Sequence, residues 1–549
     1  MGDRNFSSFS SFAGNNRRHH GLLIQKGMIL LNALHEEMNG IRLSSGWWGD
    51  TFLGEGLAYI TGTTVYPVRQ EFCLPRGRIT RTIILNDGLL IRYEIIGSIS
   101  LSIRPLMNLR PCNLLNKEPV MEVSQENGNI ILNGCRVQSS LPFTSDLQRY
   151  LNAYYPRDDE QGDECREDLL SPGFFSGTIT DTCIEIKFTP EPCHEFVFNA
   201  CIHGSEDILT HATGLCISGD EILVGHPWLD HSYDQETFLS LPGLLLEHHK
   251  FREAEDVFRR YLDRWKCGMI PTRYSDQYDS ADGVLWFFWA LFQYIQKIPK
   301  SLFIPTIKDE IESLLFNFPS NGIVTLEGSL IYVKEGSTRV DTFHIPRVGK
   351  PVDINALWIL ALELAEYLNL QTPVHSSDAR LEFLSYWNEE KGCLYDLLDP
   401  DDGTIRSNQV IALAFGLIPF DDGRHALDVI RKKLLTPYGI RVLEPESNED
   451  CKGSEGKIIY ADDLVCPWQI GFYVDALIRY GEDPDHIRQV IGSLWNYFLT
   501  DGVGMVPQFF EGTPPHQPTG AICYACSIAE LIRARNQILL LIKPHDRCS

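Results

Sequence analysis

The stretch from Pro346 to Trp358 reads PRVGKPVDINALW, a connection marked by proline and glycine that leads into an apolar segment. From Phe238 onward apolar residues recur at helical spacing, with Pro, Gly and Asp between the segments, which predicts a series of helices. About eleven or twelve helices paired by loops indicate stacked hairpins, and six pairs closed on themselves make an (α/α)6 barrel. An open α-solenoid is the alternative, but no repeat of fixed period supports it. The predicted helices span 238–249, 251–265, 282–297, 305–317, 353–369, 375–389, 407–416, 423–434, 467–480, 484–499 and 520–537.

The N-terminal part of the chain has a different character, because short segments rich in β-branched residues replace the helical spacing. Residues 78–85 and 89–96 flank the turn 86–88, which reads NDG and predicts a β-hairpin. A further strand is predicted over 99–105, and many short strands of this kind are typical of an antiparallel sandwich. We therefore predict a two-domain α+β fold, with an N-terminal antiparallel β-sandwich over residues 1–218 and an all-α (α/α)6 barrel over residues 219–549.

The charge of the chain restricts its partners. The 73 acidic and 48 basic residues give a formal net charge of -25, which argues against nucleic acid and anionic membranes as partners. A neutral sugar is compatible with this charge, although an acidic surface also serves solubility alone. No apolar stretch is long enough to span a bilayer, and the polar N-terminus does not resemble a secretory signal. The expected location is therefore the cytoplasm.

The cysteines predict no cofactor site. Fifteen cysteines are scattered along the chain, and we expect them to be reduced thiols. Cys523 and Cys526 form a lone C-x-x-C pair, and a zinc site would need a second pair or nearby histidines, so a packing role is favoured. The sequence has no phosphate-cradling glycine-rich loop and no histidine cluster with metal-ligand spacing, so we expect no cofactor and no metal. It leaves the oligomeric state open.

The 346–358 motif closely resembles a motif of prokaryotic glycogen debranching enzymes (amylo-α-1,6-glucosidases). This resemblance implies an N-terminal β-sandwich, an (α/α)6 barrel, and hydrolysis of single glucose residues joined α-1,6 to glycogen or limit dextrin. The implied partner is therefore an α-glucan. Similar segments follow the family's order along nearly the whole chain, at residues 16–23, 103–108, 225–228, 240–244, 434–441 and 527–531.

Asp282 is the predicted catalytic acid. Hydrolysis with inversion needs a carboxylic acid that protonates the leaving oxygen and a carboxylate that activates water, roughly 6.5–9.5 Å apart. Asp282 lies immediately before an aromatic, apolar segment, which is a helix-cap position. The segment around it resembles the acid-bearing segment of the family, which implies the catalytic role. A helix cap without catalytic work is the alternative.

The catalytic base is harder to assign, because the resemblance places Gln508 where the family has a glutamate. A neutral amide can position water but cannot accept its proton at pH 7. Glu511 is the nearest substitute, and Asp462 and Asp463 are further candidates. The predicted catalytic set is thus Asp282, Glu511 and Gln508.

Aromatic and polar side chains are predicted to bind the sugar. The ring faces of three tryptophans suit sugar C–H groups, although core packing explains each tryptophan at least as well. One acidic candidate, Glu236, stands in a segment where the family has D-W-G-R-D-T. The full set of predicted substrate-binding residues is Trp228, Glu236, Trp286, Arg347, Lys350, Asn408, Gln409 and Trp468.

Three functions stay open on the sequence. The first is an active exo-α-1,6-glucosidase with a relocated base. The second is an α-glucan-binding or regulatory protein that has lost the base. The third is a glycoside phosphorylase, in which phosphate replaces the activated water and His516, Lys350 and Arg347 are the candidate phosphate-binding residues.

Overall fold

The computed structural model divides into two compact units, the first ending at Asp207 and the second beginning at Ile208. The assignment of residues 1–218 and 219–549 to two domains of the debranching-enzyme type stays a prediction. The structure describes residues 6–7, 21–25, 28–48, 51–64, 68–85, 88–111, 114–126, 129–160, 164–190, 205–218, 221–226, 232–272, 277–338, 347–445, 464–502 and 504–542. Several predicted residues lie outside these ranges, namely Trp228, Asp462, Asp463, residues 16–20 and the turn residues Asn86 and Asp87.

The first unit consists mainly of β-strands, with one short helix, α1 (Pro156–Glu160). Its described strands are β1 (Phe6–Ser7), β2 (Leu23–Gln25), β3 (Met28–Leu31), β4 (Ala33–Met38), β5 (Ile41–Arg42), β6 (Gly46–Trp48), β7 (Thr51–Leu53), β8 (Ile60–Thr64), β9 (Val68–Leu74), β10 (Gly77–Leu85), β11 (Leu89–Leu106), β12 (Arg110–Pro111), β13 (Val123–Glu126), β14 (Asn129–Leu132), β15 (Cys135–Ser139), β16 (Phe143–Tyr154), β17 (Arg166–Thr180) and β18 (Cys183–Pro190).

Strand β11 holds the first unit together. Over its 18 residues buried positions alternate with more exposed ones, because successive side chains of a strand point to opposite faces. Its first half pairs with β10 and β18, and its second half pairs with β17 and β4. Ile91, Ile99 and Ile103 are among its buried residues and belong to one hydrophobic core. The predicted hairpin of β10 and β11 is confirmed, with Leu85 opposite Leu89.

The predicted β-sandwich is wrong. A sandwich needs two sheets packed face to face, whereas β11 joins its neighbours into a single sheet of 14 described strands, beside a smaller sheet of four. The sequence predicted separate strands over 89–96 and 99–105. The chain instead continues through Gly97 at a φ of 91°, a left-handed conformation that favours glycine. The N-terminal region is therefore a large, mostly antiparallel β-sheet domain.

The second unit alternates helices with short strands, and α2 spans the boundary between the units. Its described elements are α2 (Ser205–Cys216), β19 (Ile217–Ser218), β20 (Glu221–Ile222), β21 (Gly225–His226), α3 (Asp234–Leu244), α4 (Phe251–Leu262), α5 (Asp282–Lys297), α6 (Lys308–Asn317), β22 (Val324–Glu327), β23 (Leu330–Val333), β24 (Lys350–Pro351), α7 (Val352–Tyr367), α8 (Ser376–Phe383), β25 (Trp387–Asn388), β26 (Cys393–Leu394), β27 (Leu397–Leu398), α9 (Gln409–Phe415), α10 (Phe420–Lys433), β28 (Leu435–Thr436), β29 (Gly439–Arg441), β30 (Leu464–Cys466), α11 (Gln469–Arg479), α12 (Pro484–Leu499), β31 (Phe509–Glu511), β32 (Pro518–Thr519), β33 (Cys523–Tyr524) and α13 (Ala525–Ile542).

The predicted all-α (α/α)6 barrel also needs correction. The segments that connect the helices pair with one another, and β28 to β32 form a sheet of five strands, so the region is not all-α. Its helices are compatible with a helical barrel, but the described residues do not establish a closed barrel of six pairs. No helix in the ranges given above is both long and apolar enough to cross a membrane.

Candidate active site

Buried polar residues gather at the first turns of four helices in the second unit. Asp234 begins α3, Asp282 begins α5 and Asp353 follows the first residue of α7. Asn408 and Gln409 stand at the start of α9. All five residues are buried, and the partial positive charge of a helix N-terminus stabilises a carboxylate placed there.

Asp282 lies where α3 and α5 come close together. Its side chain is 1% exposed, and the residue after it, Gly283, lies against the carboxylate of Asp234. A Cβ atom on residue 283 would fall 1.9 Å from Asp234 Oδ2, so this approach requires glycine. Asp234 also accepts a hydrogen bond of 2.8 Å from the backbone N–H of Gln235. Two carboxyl-bearing residues thus adjoin the start of α5.

Arg347 interacts electrostatically with Asp282 and forms hydrogen bonds with two buried carboxylates. It donates to Asp353 Oδ1 at 2.7 Å and to Asp396 Oδ2 at 3.1 Å. Burial alone would lower the pKa of Arg347, but Asp353, Asp396 and Asp282 raise it above its ordinary value. Asp396 is itself fully enclosed, and burial raises the pKa of its carboxyl group. Arg347 therefore uses its donors on carboxylates.

The other polar residues predicted to bind substrate also form hydrogen bonds or ion pairs within the protein. Asn408 donates to Asp396 Oδ1 at 2.9 Å, and Arg406 Nε lies 3.5 Å from the other oxygen of that carboxylate. Gln409 accepts from the backbone N–H of Leu394 at 3.2 Å and donates to a backbone carbonyl at 3.0 Å. Lys350 pairs with Asp399 at 2.7 Å, on the β24–β27 strand pair.

The two described tryptophans of the predicted set lie together. The ring centroids of Trp286 and Trp468 are 6.2 Å apart in an edge-to-face arrangement. Trp286 is 3% exposed and also packs edge-on against Trp289 and Phe472. Trp468 is only partly buried. Of these two rings, Trp468 has the surface that a sugar could reach.

Glu236 belongs to a contact between α3 and the start of α13. The hydroxyl of Tyr524 donates to Glu236 Oε1 at 3.4 Å, and the thiol of Cys526 lies 3.8 Å from the Glu236 carbonyl oxygen. Ser240 donates to Cys526 Sγ at 3.3 Å. Burial raises the pKa of the Cys526 thiol well above its ordinary value, which keeps it protonated. The thiols of the C-x-x-C pair are buried, and no group of three or more possible metal ligands occurs in the described part of the chain.

Gln508 and Glu511 lie at the five-stranded sheet. Gln508 donates its backbone N–H to the Ala521 carbonyl at 2.7 Å, and its side-chain oxygen accepts from the Ala521 N–H at 3.3 Å. Glu511 is partly exposed in β31, and its carbonyl oxygen lies 2.8 Å from His516 Nδ1. Asp282 thus acts electrostatically on Arg347, Asn408 shares the Asp396 carboxylate with Arg347, and Gln508 and Glu511 lie at the five-stranded sheet.

Sequence reasoning missed Asp234, Asp353 and Asp396. Asp353 offered a signal, because it stands at the predicted start of a helix within the 346–358 motif. Asp234 also opens a helix, but the predicted helix began four residues later. No feature of the local sequence singled out Asp396. It follows a short strand, and its partner Arg347 is 49 residues away in the sequence.

Two family models match the chain. Residues 203–533 match the amylo-alpha-1,6-glucosidase model, and residues 5–183 match the glycogen debranching enzyme N-terminal model. These matches support a glycoside hydrolase that acts on a carbohydrate. None of the curated proteins matches the sequence.

Two solved structures from Thermus thermophilus are similar to part of this chain. An uncharacterized conserved protein has 11% identity and a TM-score of 0.44, covering 60% of this chain and 98% of its own. A GH63 mannosylglycerate hydrolase in complex with Tris has 11% identity and a TM-score of 0.41, covering 59% of this chain and 98% of its own. These similarities are too distant to inform the chemistry. The family matches, which span nearly the whole sequence, show that the chain belongs to the amylo-alpha-1,6-glucosidase family.

Proposed function

We propose that this chain removes α-1,6-linked glucose from glycogen or limit dextrin, with Asp282 as the general acid of an inverting mechanism. The observation that carries the proposal is the position of Asp282, which is buried at the start of α5 next to the approach of Asp234 and acts electrostatically on Arg347. An α-glucan as partner and a location in the cytoplasm belong to the same proposal.

The charges around Asp282 suit an acid. Arg347 and Arg406 supply two positive charges, and Asp353 and Asp396 supply two negative charges that contact them. Both guanidinium groups are in contact with Asp353 or Asp396, and Asp282 also acts electrostatically on Arg347. Burial favours the neutral form of a carboxyl group, and a neutral carboxyl has a proton to give.

The proposed reaction uses Gln508 and Glu511 on the water side. Asp282 gives its proton to the glycosidic oxygen as the bond between that oxygen and C1 breaks. Water attacks C1 from the opposite face and releases its proton to Glu511, which leaves C1 inverted. Gln508 orients this water through its amide, whose oxygen is held by the Ala521 N–H.

A second candidate is an α-glucan-binding protein without hydrolytic activity. It is favoured by one observation, that the base position of the family holds a neutral amide anchored to Ala521. The phosphorylase alternative gains no such support. Arg347 and Lys350 are already paired with carboxylates, and His516 Nδ1 contacts a backbone carbonyl.

One assay separates the two candidates. The protein is incubated with phosphorylase-limit dextrin, with and without phosphate, and free glucose and glucose 1-phosphate are measured. We expect free glucose alone, and a loss of about 10²–10⁴-fold in rate for Asp282→Asn and for Glu511→Gln. Asp309→Asn, on the exposed side of α6, is the matched control and keeps the wild-type rate. Dextrin binding without either product would overturn the hydrolase proposal and support the binding protein.

A further inference from the structure

Five partly exposed side chains of the first unit form a cluster on neighbouring strands, which we call the Arg42 cluster. Its members are His35, Arg42, Trp48, Arg104 and Tyr150, from β4, β5, β6, β11 and β16. The guanidinium of Arg42 lies 5.9 Å from the centroid of the Trp48 ring, and Trp48 and Tyr150 have ring centroids 5.6 Å apart. His35 Nδ1 lies 3.2 Å from the Tyr150 hydroxyl.

Two donors of the Arg42 cluster lack an acceptor within the described part of the chain. Arg42 Nε and Trp48 Nε1 are shielded from water, and neither has a hydrogen-bond partner among the described residues. A buried donor left in this state costs free energy comparable to a lost hydrogen bond, so native proteins rarely keep one without a reason. Both donors belong to the Arg42 cluster.

Arg42 also has no carboxylate partner within 4 Å among the described residues. Glu37 stands opposite it in the β4–β5 pair, yet the two form no ion pair within 4 Å. Burial lowers the pKa of Arg42, and among the described residues the Tyr150 phenol alone opposes this effect. Carboxylates instead raise the pKa of other arginines in the described chain, such as Arg92 beside Glu185 and Arg347 beside Asp353.

The remaining charges of the cluster leave it positive. Arg104 is occupied by the Asp146 carboxylate at 2.6 Å, by the Asp146 carbonyl and by Ser171. Burial, with Arg42 and Arg104 nearby, lowers the pKa of His35 to about 4, so this ring is neutral at pH 7. Arg42 therefore contributes one positive charge without a described counter-charge, in a protein whose net charge is -25.

We propose that the Arg42 cluster binds a phosphate group, either inorganic or carried by a sugar. The side chains of the cluster carry a guanidinium, an indole N–H and a phenol, and donors of this kind suit a ligand made only of acceptors. Arginine matches phosphate oxygens with two parallel hydrogen bonds, and the ligand's charge would balance Arg42. This site is independent of the hydrolysis proposed above.

The test measures binding of inorganic phosphate and of glucose 1-phosphate to the full-length protein by calorimetry, with chloride at matched ionic strength as the reference. Arg42→Ala removes the unpaired charge, and Trp48→Phe removes the indole N–H while keeping an aromatic ring. We expect each variant to bind at least about tenfold more weakly than the wild type, since each loses a charge-assisted or buried hydrogen bond.

A matched variant tests whether the loss of any positive charge in this unit weakens phosphate binding. Arg92→Ala removes an equally positive side chain from the same unit, where Glu185 already pairs with it, and should bind phosphate as the wild type does. Tighter binding of glucose 1-phosphate than of phosphate identifies a sugar phosphate as the ligand, and equal binding identifies the free anion. Wild-type protein that binds neither, or Arg42→Ala and Trp48→Phe variants that fold and bind both normally, would overturn the proposal.

Discussion

Gln508 holds its amide oxygen against the Ala521 N–H, and a carboxylate at the same position would accept the same bond. Gln508→Glu therefore keeps the geometry and supplies a proton acceptor where the resemblance to the family implies one. We predict that this variant releases glucose from limit dextrin at least about tenfold faster, since a well-placed general base contributes about 10²–10⁴-fold. The readout is kcat.

The control for this prediction is Gln371→Glu, which adds the same charge at an exposed position. It should leave kcat unchanged. A Gln508→Glu variant that is folded but no faster would show that water is activated elsewhere, and Glu511→Gln would then be the decisive comparison.

Glu530 gives the protein a stability that depends on pH. Its carboxyl is fully buried on α13, burial raises its pKa to about 7, and Arg533 opposes this shift. Arg533 is also bound by Asp475 at 2.5 Å, so Glu530 can hold a proton without leaving the guanidinium unpaired. A carboxyl whose pKa is raised by folding stabilises the protein below its unfolded pKa of about 4.3, and this contribution is lost as pH rises through 7.

We therefore predict that the free energy of unfolding contains a part that falls between about pH 4 and pH 7, and that Glu530→Gln removes that part. Urea denaturation of both proteins at several pH values measures it. Equal pH dependence in the two proteins would show that Glu530 is ionised throughout this range in the folded state.

The contacts of single residues were only partly predictable. Asp282 was selected because its neighbours in sequence resemble the family's acid-bearing segment, and its catalytic role stays a prediction. Arg347, Asn408 and Gln409 were predicted to grip a sugar, but their described contacts are with carboxylates and the backbone. These partners are distant in sequence, so the spacing of residues along the chain does not predict them.

Helix α3 approaches α13 through a glycine. A Cβ atom on Gly243 would fall 2.0 Å from the backbone carbonyl oxygen of Ala529, and backbone cannot move aside as a flexible side chain can. We predict that Gly243→Ala lowers the free energy of unfolding by about 1–3 kcal/mol, the usual cost of overpacking. Urea denaturation measures the change.

Gly492, in the middle of α12, is the matched control. Nothing lies within 4 Å of a Cβ atom built there, so Gly492→Ala should stabilise the protein by about 0.5–1 kcal/mol. Two variants of equal stability would mean that α3 and α13 can separate without loss.

The sequence predicted the helices more successfully than the strands. The predicted helices 282–297 and 484–499 have the same bounds as α5 and α12. Local apolar spacing was enough, since a helix makes its hydrogen bonds within one segment. Strand partners lie far apart in sequence, and the continuation of β11 through Gly97 depends on four of them.

On the scale of the whole molecule, the two units have separate hydrophobic cores. Ile103 is fully buried in the first core and Leu291 in the second. We predict two unfolding transitions in calorimetry, with Ile103→Ala and Leu291→Ala each destabilising only its own unit by about 2–5 kcal/mol.

Leu302→Ala serves as the control, because this side chain is 87% exposed and should shift neither transition. A single transition that moves with both core variants would show that the units unfold as one. A strand-rich region followed by helices was predictable from apolar spacing, but the joining of the N-terminal strands into one sheet was not, because it is a property of long-range pairing.

Strand β11 limits how this protein can change in length. It pairs with four strands along its length, and its side chains alternate between a buried and a more exposed face. One inserted residue would therefore turn the buried side chains that follow the insertion toward water. Insertions and deletions are then tolerated in the turns, or as pairs of residues within the strand. Related sequences that diverge everywhere else should still agree on whether the number of residues in this strand is even or odd.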